Sequence, residues 1–254
     1  MRKVLSYSMV ILFFTSIICF AQNNEMDPTA AQFYNEGNKL LKSGNYQGAI
    51  GKYSEALNTS EDHRIYYQLG ITYKKLRNYE EAEKSFLASV KSDPKFAAGY
   101  NGLGGTYFVS GDYNKAIENF KKFAELSTKA SYKSSANENI SKCYAKLGES
   151  AKADGKYDQA IEYHKQAVSF SNYDASYLAL AELYIETSQY DLALEAADKA
   201  SNFRKSISRG GPFYYKGMAF KGKNEIEKAK ENFEAGLKDN QYKSLCKYQL
   251  DLMK

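Results

Sequence analysis

The chain has 254 residues, of which 43% are hydrophobic and 15% aromatic, and its 35 basic against 30 acidic side chains give a formal net charge of +5. So mild a positive balance argues against a nucleic-acid binder, whose basic face would carry a much larger excess. Three cysteines are too few for a scaffold stapled by disulfides, so stability must come from packing.

The chain opens with Arg2 and Lys3, continues through an apolar stretch from Val4 to Phe20, and meets a small residue at Ala21 before the polar run Gln22, Asn23, Asn24. This is the order of a secretory signal peptide. Ser6, Tyr7, Ser8, Thr15 and Ser16 interrupt the apolar run, whereas a spanning helix wants about 20 predominantly apolar residues. Residues 1–21 are therefore read as a signal removed after Ala21, with 22–29 as a linker. Cleavage leaves 33 basic against 30 acidic side chains. The protein is expected to be exported, to the periplasm or another extracytoplasmic space, and to touch a membrane only if this segment stays attached. Cys19 follows Ile18 rather than a small residue, which argues against lipidation.

From residue 30 onward the sequence repeats itself. The first copy carries Gly37, Tyr46, Ala49, Tyr53 and Ala56, and the second Gly70, Tyr79, Ala82, Phe86 and Ser89. The third has Gly104, Tyr113, Ala116, Phe120 and Phe123; the fourth Gly148, Tyr157, Ala160, His164 and Ala167. The fifth has Ala181, Tyr190, Ala193, Ala197 and Ala200, and the sixth Gly217, Ile226, Ala229, Phe233 and Gly236. In each copy the small residue stands twelve places before the invariant alanine, which predicts two closely crossing helices, and the residues four and seven places after the alanine predict one face of the second helix. On the first helix, Phe33, Tyr66, Tyr100, Tyr144, Tyr177 and Phe213, with Leu40, Tyr73, Tyr107, Ala151, Tyr184 and Phe220, are expected to form the packing face. Ser43-Gly44-Asn45, Arg77-Asn78 and Ser110-Gly111-Asp112 predict the turns, Gly freeing the backbone and Asn or Asp capping the next helix.

Copies one to three occupy 30–129 and copies four to six 141–240. Between them about ten extra residues, Ser131 to Ile140, hold no Gly or Pro, so added helical turns are expected before Tyr144. After the sixth copy, Leu245, Tyr248 and Leu252 recur as i, i+3, i+7 among lysines and predict a capping helix in 241–254.

This alternation of aromatics, Gly and Ala resembles the tetratricopeptide repeat, a 34-residue helix-turn-helix unit. The resemblance covers Ala30 to Asn240, with copies at intervals of 33, 34, 44, 33 and 36 residues. Only the second unit ends in the family's Asp-Pro, at Asp93-Pro94; Ala181 and Ile226 also depart from the pattern. The resemblance implies an all-α, right-handed superhelical solenoid of six repeats, with first helices lining a concave groove. The long first helix of repeat four is then expected to divide that groove into two halves. Some family members grip the acidic tails of heat-shock chaperones with a clamp of Lys, Asn, Asn, Lys and Arg. The matching places here hold Tyr34, Asn38, Gln68, Ala98 and Gly102, so every cation of the clamp is missing.

No catalytic residue, cofactor or metal site is expected. The two histidines, His63 and His164, fall in different repeats, and His164 takes an aromatic packing place. The Gly102-Leu103-Gly104-Gly105 cluster lies inside a first helix and reads as close packing, not a phosphate cradle. Cys143 and Cys246 lie about two repeats apart, beyond disulfide reach, and read as small apolar packers. Of the 23 tyrosines, 13 stand on the packing positions above, so the enrichment needs no ligand to explain it.

The implied groove face in repeats one to three carries Tyr34, Asn38, Lys42, Arg64, Tyr67, Ile71, Lys74, Asn101, Phe108 and Val109. In repeats four to six it carries Lys142, Glu149, Lys152, Leu178, Glu182, Ile185, Glu186, Tyr214 and Met218. Tyr34, Tyr67, Ile71 and Phe108 have no packing role in the repeat pattern, since Tyr66 is given the packing place, and they form an apolar strip flanked by Lys42, Arg64, Lys74 and Lys75. The expected partner is a protein or peptide, an extended or helical segment with apolar anchors and some acidic residues; nucleic acid and metal are not expected. The expected function is a non-enzymatic protein–protein interaction scaffold of the cell envelope. The alternative is a membrane-tethered structural subunit that keeps its N-terminal anchor.

Overall fold

The computed structural model describes residues 25–254, so the signal-peptide reading of 1–21 lies outside the described residues. Thirteen helices and no strand are found among the described residues. The first three repeats pair α1 (Pro28–Lys42) with α2 (Tyr46–Thr59), α3 (His63–Lys75) with α4 (Tyr79–Ser92), and α5 (Ala97–Ser110) with α6 (Tyr113–Leu126). The next three pair α7 (Ala130–Ala153) with α8 (Tyr157–Phe170), α9 (Asp174–Glu186) with α10 (Tyr190–Asn202), and α11 (Gly210–Gly222) with α12 (Ile226–Gly236). A last helix, α13 (Lys243–Asp251), closes the array. No helix among the described residues is long and apolar enough to cross a membrane.

Capping chemistry sets the helix starts. Asp27 accepts hydrogen bonds from the backbone N–H groups of Thr29 and Ala30 at 2.9 and 3.1 Å, so α1 begins at Pro28, inside the segment read as a linker. Asn45, Asn78 and Asp112 cap α2, α4 and α6 through Gly48, Glu81 and Lys115. One residue before each of these caps the chain turns through a left-handed residue, and the same holds before α8, α10 and α12. Glycine supplies it at Gly44, Gly111 and Gly155, but Arg77, Ser188 and Asn224 adopt it at φ near 60°.

Within a repeat the two helices approach until a ring meets a backbone. A methyl group at Gly37, Gly70, Gly104 or Gly217 would lie 2.5–2.7 Å from the ring of Tyr53, Phe86, Phe120 or Phe233 respectively, and one at Gly148 would lie 2.6 Å from His164. Glycine is what lets these rings be buried to 2% exposure or less. The fifth repeat uses the reciprocal solution: Ala181 brings the methyl, and Ala197, also fully buried, stands where the ring would be. Its departure from the pattern is a matched pair. The alanines at 49, 82, 116, 160, 193 and 229 are all fully buried.

Consecutive first helices also pack on one another, α1 on α3, α3 on α5 and α9 on α11, while no comparable contact joins the second helices. The first helices therefore form the inner layer of a helical solenoid. That inner contact is slight at most on either side of α7, which packs instead on α6 and α8. Ser131 to Ile140 lie wholly within α7, a helix of 24 residues where the other first helices have 13 to 15.

Two packing expectations are corrected. On α3 the buried residues are Ile65, Leu69, Gly70 and Thr72; Tyr66 is only half-buried, and it is Tyr67 whose ring lies 5.7 Å from Phe86 and 5.3 Å from Phe96. On α13 the expected lid face of Leu245, Tyr248 and Leu252 is exposed, at 46, 61 and 59%. The helix instead buries Cys246 against Gly236, where a methyl would meet the sulfur at 2.5 Å, and Gln249, which accepts a hydrogen bond of 2.7 Å from the Lys221 ammonium. Cys143 and Cys246 are both buried free thiols.

Candidate functional site

Four of the residues expected as unencumbered anchors are in fact held by the core on one side. The Tyr34 ring lies 6.1 Å from that of Tyr53, whose hydroxyl donates to Asn38 Oδ1 at 2.7 Å. Tyr67 sits between Phe86 and Phe96, Ile71 packs into the core of repeats two and three, and Phe108 meets Tyr113 at 5.7 Å. All four remain partly accessible, so each presents an edge to the inner face while its body stabilises the array. Arg64 is likewise not a free cation. Its guanidinium grips Asp62 through hydrogen bonds of 2.5, 2.9 and 3.1 Å; burial would raise the Asp62 carboxyl, but these bonds outweigh it and hold the group below its ordinary value.

Lys74 behaves differently. Among the described residues no carboxylate lies within 4.0 Å of its ammonium, and burial, with the neighbouring Lys75 charge, lowers its pKa. It lines a pocket of about 320 Å³ together with Asn101, Gly105 and Phe108 of α5, Phe120 of α6, and Asn139 and Lys142 of α7. The structure thus brings Lys74, Asn101 and Phe108 together, leaves Tyr34, Asn38, Lys42, Arg64, Tyr67 and Ile71 outside this pocket, and adds Lys142 from the second-half set. Asn139 was missed by the sequence reading. Its signal was there, three residues before Lys142 on one helix and so on the same face.

A larger depression of about 700 Å³ lies along the loops that precede α3 and α5, lined by Glu25, Asp62, His63, Arg64, Asp93 and their neighbours. Its charges are largely spent on one another: Arg64 on Asp62, and His63 3.8 Å from both Asp62 and Asp93. In the second half much of the inner face is engaged within the chain. Lys152 pairs with Glu182 at 2.5 Å and Lys146 with Glu149 at 2.6 Å, Leu178 and Ile185 pack into the core of repeats four and five, and Tyr214 and Met218 pack beside Phe233 and Tyr242. Burial and the Glu182 carboxylate both push the Tyr215 phenol up, so that hydroxyl stays protonated. Among the described residues no group of three or more His, Cys, Asp and Glu side chains is placed to hold a metal ion.

Residues 63–96 and 95–172 match family models described as tetratricopeptide repeat. Residues 63–172 are thus tetratricopeptide repeats, and the described residues share that fold. Its relatives include the small glutamine-rich tetratricopeptide repeat-containing protein 2 of Saccharomyces cerevisiae, 30% identical over 36% of this chain and 27% of that one. The heat shock protein STI1 of the same yeast is 32% identical over 40% of this chain and 18% of its own length. The Hsp70-Hsp90 organizing protein 3 of Arabidopsis thaliana is 33% identical over the same shares. The chain therefore spans under a third of the length of these curated relatives. Among solved structures, YrrB, a tetratricopeptide repeat protein with an unusual peptide-binding site, superposes with a TM-score of 0.51 at 18% identity, covering 78% of this chain and 97% of that one. The C-terminal part of a tetratricopeptide repeat-containing protein from Cytophaga hutchinsonii gives 0.55 at 16% identity over 81% of this chain and 78% of that one. At such identities these likenesses establish the shared fold.

Proposed function

We propose that this tetratricopeptide repeat protein is a non-enzymatic binding module that holds a segment of a partner protein along the inner face of repeats one to three. The observation that carries this reading is the inner face itself: aromatic edges at Tyr34, Tyr67 and Phe108 and the cations Lys42 and Lys74, all on successive first helices, beside an open pocket. Tyrosine edges and cations beside a cavity are typical anchors of protein interfaces. Relatives named as organizing proteins of Hsp70 and Hsp90 support a partner-holding role in general. A chaperone tail is not the expected ligand here. Of the five clamp places, Asn38 is engaged by Tyr53, Gly102 is buried beneath Phe86, and Tyr34, Gln68 and Ala98 carry no cation.

The test is positional. A photo-crosslinking amino acid placed at Lys42 or Val109, on the inner face, should capture a protein partner, and the same group at Ser54 or Glu118, on exposed faces of the second helices, should not. Capture from the outer positions alone would overturn the groove. We place the module in the cell envelope because Val4 to Phe20 follows two basic residues and ends at Ala21. N-terminal sequencing of the envelope protein should begin at Gln22; Met1 retained in the membrane fraction would favour the tethered structural subunit instead.

A further inference from the structure

The pocket between α3, α5 and α7 is an arrangement that the repeat does not require. Asn139 reaches it from the N-terminal turns by which α7 exceeds the other first helices, so this part of the wall exists because of the insertion. Gly105 makes room on the opposite side, since a methyl group there would lie 2.9 Å from Lys74 Nζ. Among the described residues neither Lys74 nor Lys142 has a carboxylate within 4.0 Å, and Lys74, unlike its equally unpaired neighbour Lys75, is half-buried. A half-buried ammonium with no counter-ion is unfavourable, and burial indeed lowers the Lys74 pKa. Around it stand the amide groups of Asn101 and Asn139, over a floor of Phe108 and Phe120.

Resting on the groove reading above, the geometry points to this pocket as the receptor for a carboxylate of the bound segment, held by Lys74 and Lys142 with the adjoining apolar side chain on Phe108. Two ammonium groups and two amides offer N–H donors to both oxygens of a carboxylate, and charged hydrogen bonds of this kind are the stronger ones. The volume of about 320 Å³ admits that group and one side chain beside it. An aspartate or glutamate inside the segment and a free C-terminus share this chemistry.

Nuclear magnetic resonance of the full chain labelled with ¹³C-lysine tests the assignment through the lysine Cε–H signals, assigned with Lys74→Met and Lys142→Met. Three probes are titrated at constant ionic strength: N-acetylglutamate α-amide for a side-chain carboxylate, N-acetylleucine for a terminal one, and N-acetylglutamine amide with neither. The Lys74 and Lys142 signals should shift together and saturably with a carboxylate probe, at least fivefold more tightly than with the glutamine probe, and the tighter carboxylate identifies the source. In Lys142→Met, a surface change with no packing role, the Lys74 response should weaken at least fivefold. Equal response to the glutamine probe, no response at all, or a uniform shift of every lysine would overturn the carboxylate pocket. The groove stands or falls separately: inner-face cross-links that persist in Lys142→Met beside a silent titration remove the pocket alone, whereas loss of the contrast between Lys42 and Ser54 in the wild-type chain removes the groove reading.

Discussion

Repeats one to three and repeats four to six share one plan and spend their polar groups differently. In the second half Glu149, Lys152 and Glu182 of the inner face are paired within the chain, and the long loop before α11 is pinned by a carboxylate. Asp174, almost fully buried, accepts from the backbone N–H groups of Lys205, Ser206 and Ile207 at 2.5, 2.6 and 3.1 Å and from the Ser206 hydroxyl at 2.7 Å. Burial alone would raise that carboxyl, yet these bonds hold it down to about 2. In the first half, Lys74 lacks such a partner and stands beside an open pocket. The difference is that the second half meets most of its inner polar groups within the chain, whereas the first leaves the Lys74 charge beside a cavity without a carboxylate.

The contrast can be broken at its packing first. Phe86 is fully buried between Gly70 and Gly102, so Phe86→Ala should cost about 4 kcal/mol, whereas Ala181→Gly in the fifth repeat should cost about 1 kcal/mol, the helix penalty of glycine. Urea unfolding of the two variants measures the difference, and equal losses would mean that the reciprocal pairs are not equivalent solutions. Acid should separate the halves next. His164 is buried, and that burial depresses its pKa from 6.5 to about 4, with Glu149, Lys152 and Glu182 as the nearby charges. The stabilisation by the neutral ring is whole above pH 6.5 and drains away as the pH falls through 4, a loss on the order of 3 kcal/mol. Hydrogen exchange should show α7 and α8 loosening before α3 and α4, and His164→Phe should abolish that order.

Smaller effects sharpen the picture on α3. Tyr67→Ala should destabilise by about 2 kcal/mol and Tyr66→Ala by about 1 kcal/mol, read from thermal unfolding, because Tyr67 is the one wedged between two rings. The reverse ranking would restore Tyr66 as the packing residue. Smallest of all, Arg77→Gly should stabilise by about 0.5 to 1 kcal/mol and Gly44→Ala destabilise by about 1 kcal/mol, since both positions adopt the left-handed backbone. Differential scanning calorimetry resolves shifts of that size.

The helix framework was legible because it is written in small residues at fixed intervals, and a backbone cannot approach a ring without them. The arc of the first helices that packs was only partly legible. A first helix touches its own second helix and also the next repeat, so its packing face is wider than one stripe. Tyr67 is claimed by Phe96, a loop residue from the following unit that also meets His63 at 4.6 Å, and no periodicity within repeat two points to it. The capping helix itself was legible, but its buried face was not, because hydrophobicity chose one face and fit the other. Gly236 leaves a notch that a cysteine fills, and Gln249 is satisfied by Lys221, so Leu245, Tyr248 and Leu252 remain outside. The pocket at Lys74 joins residues from three repeats, and only the length of α7 brings Asn139 into it.

The glycine and ring pairing also bears on how such a chain can change over time. A path of single substitutions from a glycine–aromatic pair to the Ala181–Ala197 pair has two middles. One drives a methyl into a ring at about 2.6 Å; the other leaves a hollow where the ring stood. Either intermediate loses several kcal/mol, a large part of the stability of an ordinary domain. Repeats of this kind are therefore hard to edit residue by residue at their centre, and duplication of a whole unit, with its matched pair intact, is the route that never passes through an ill-fitting state.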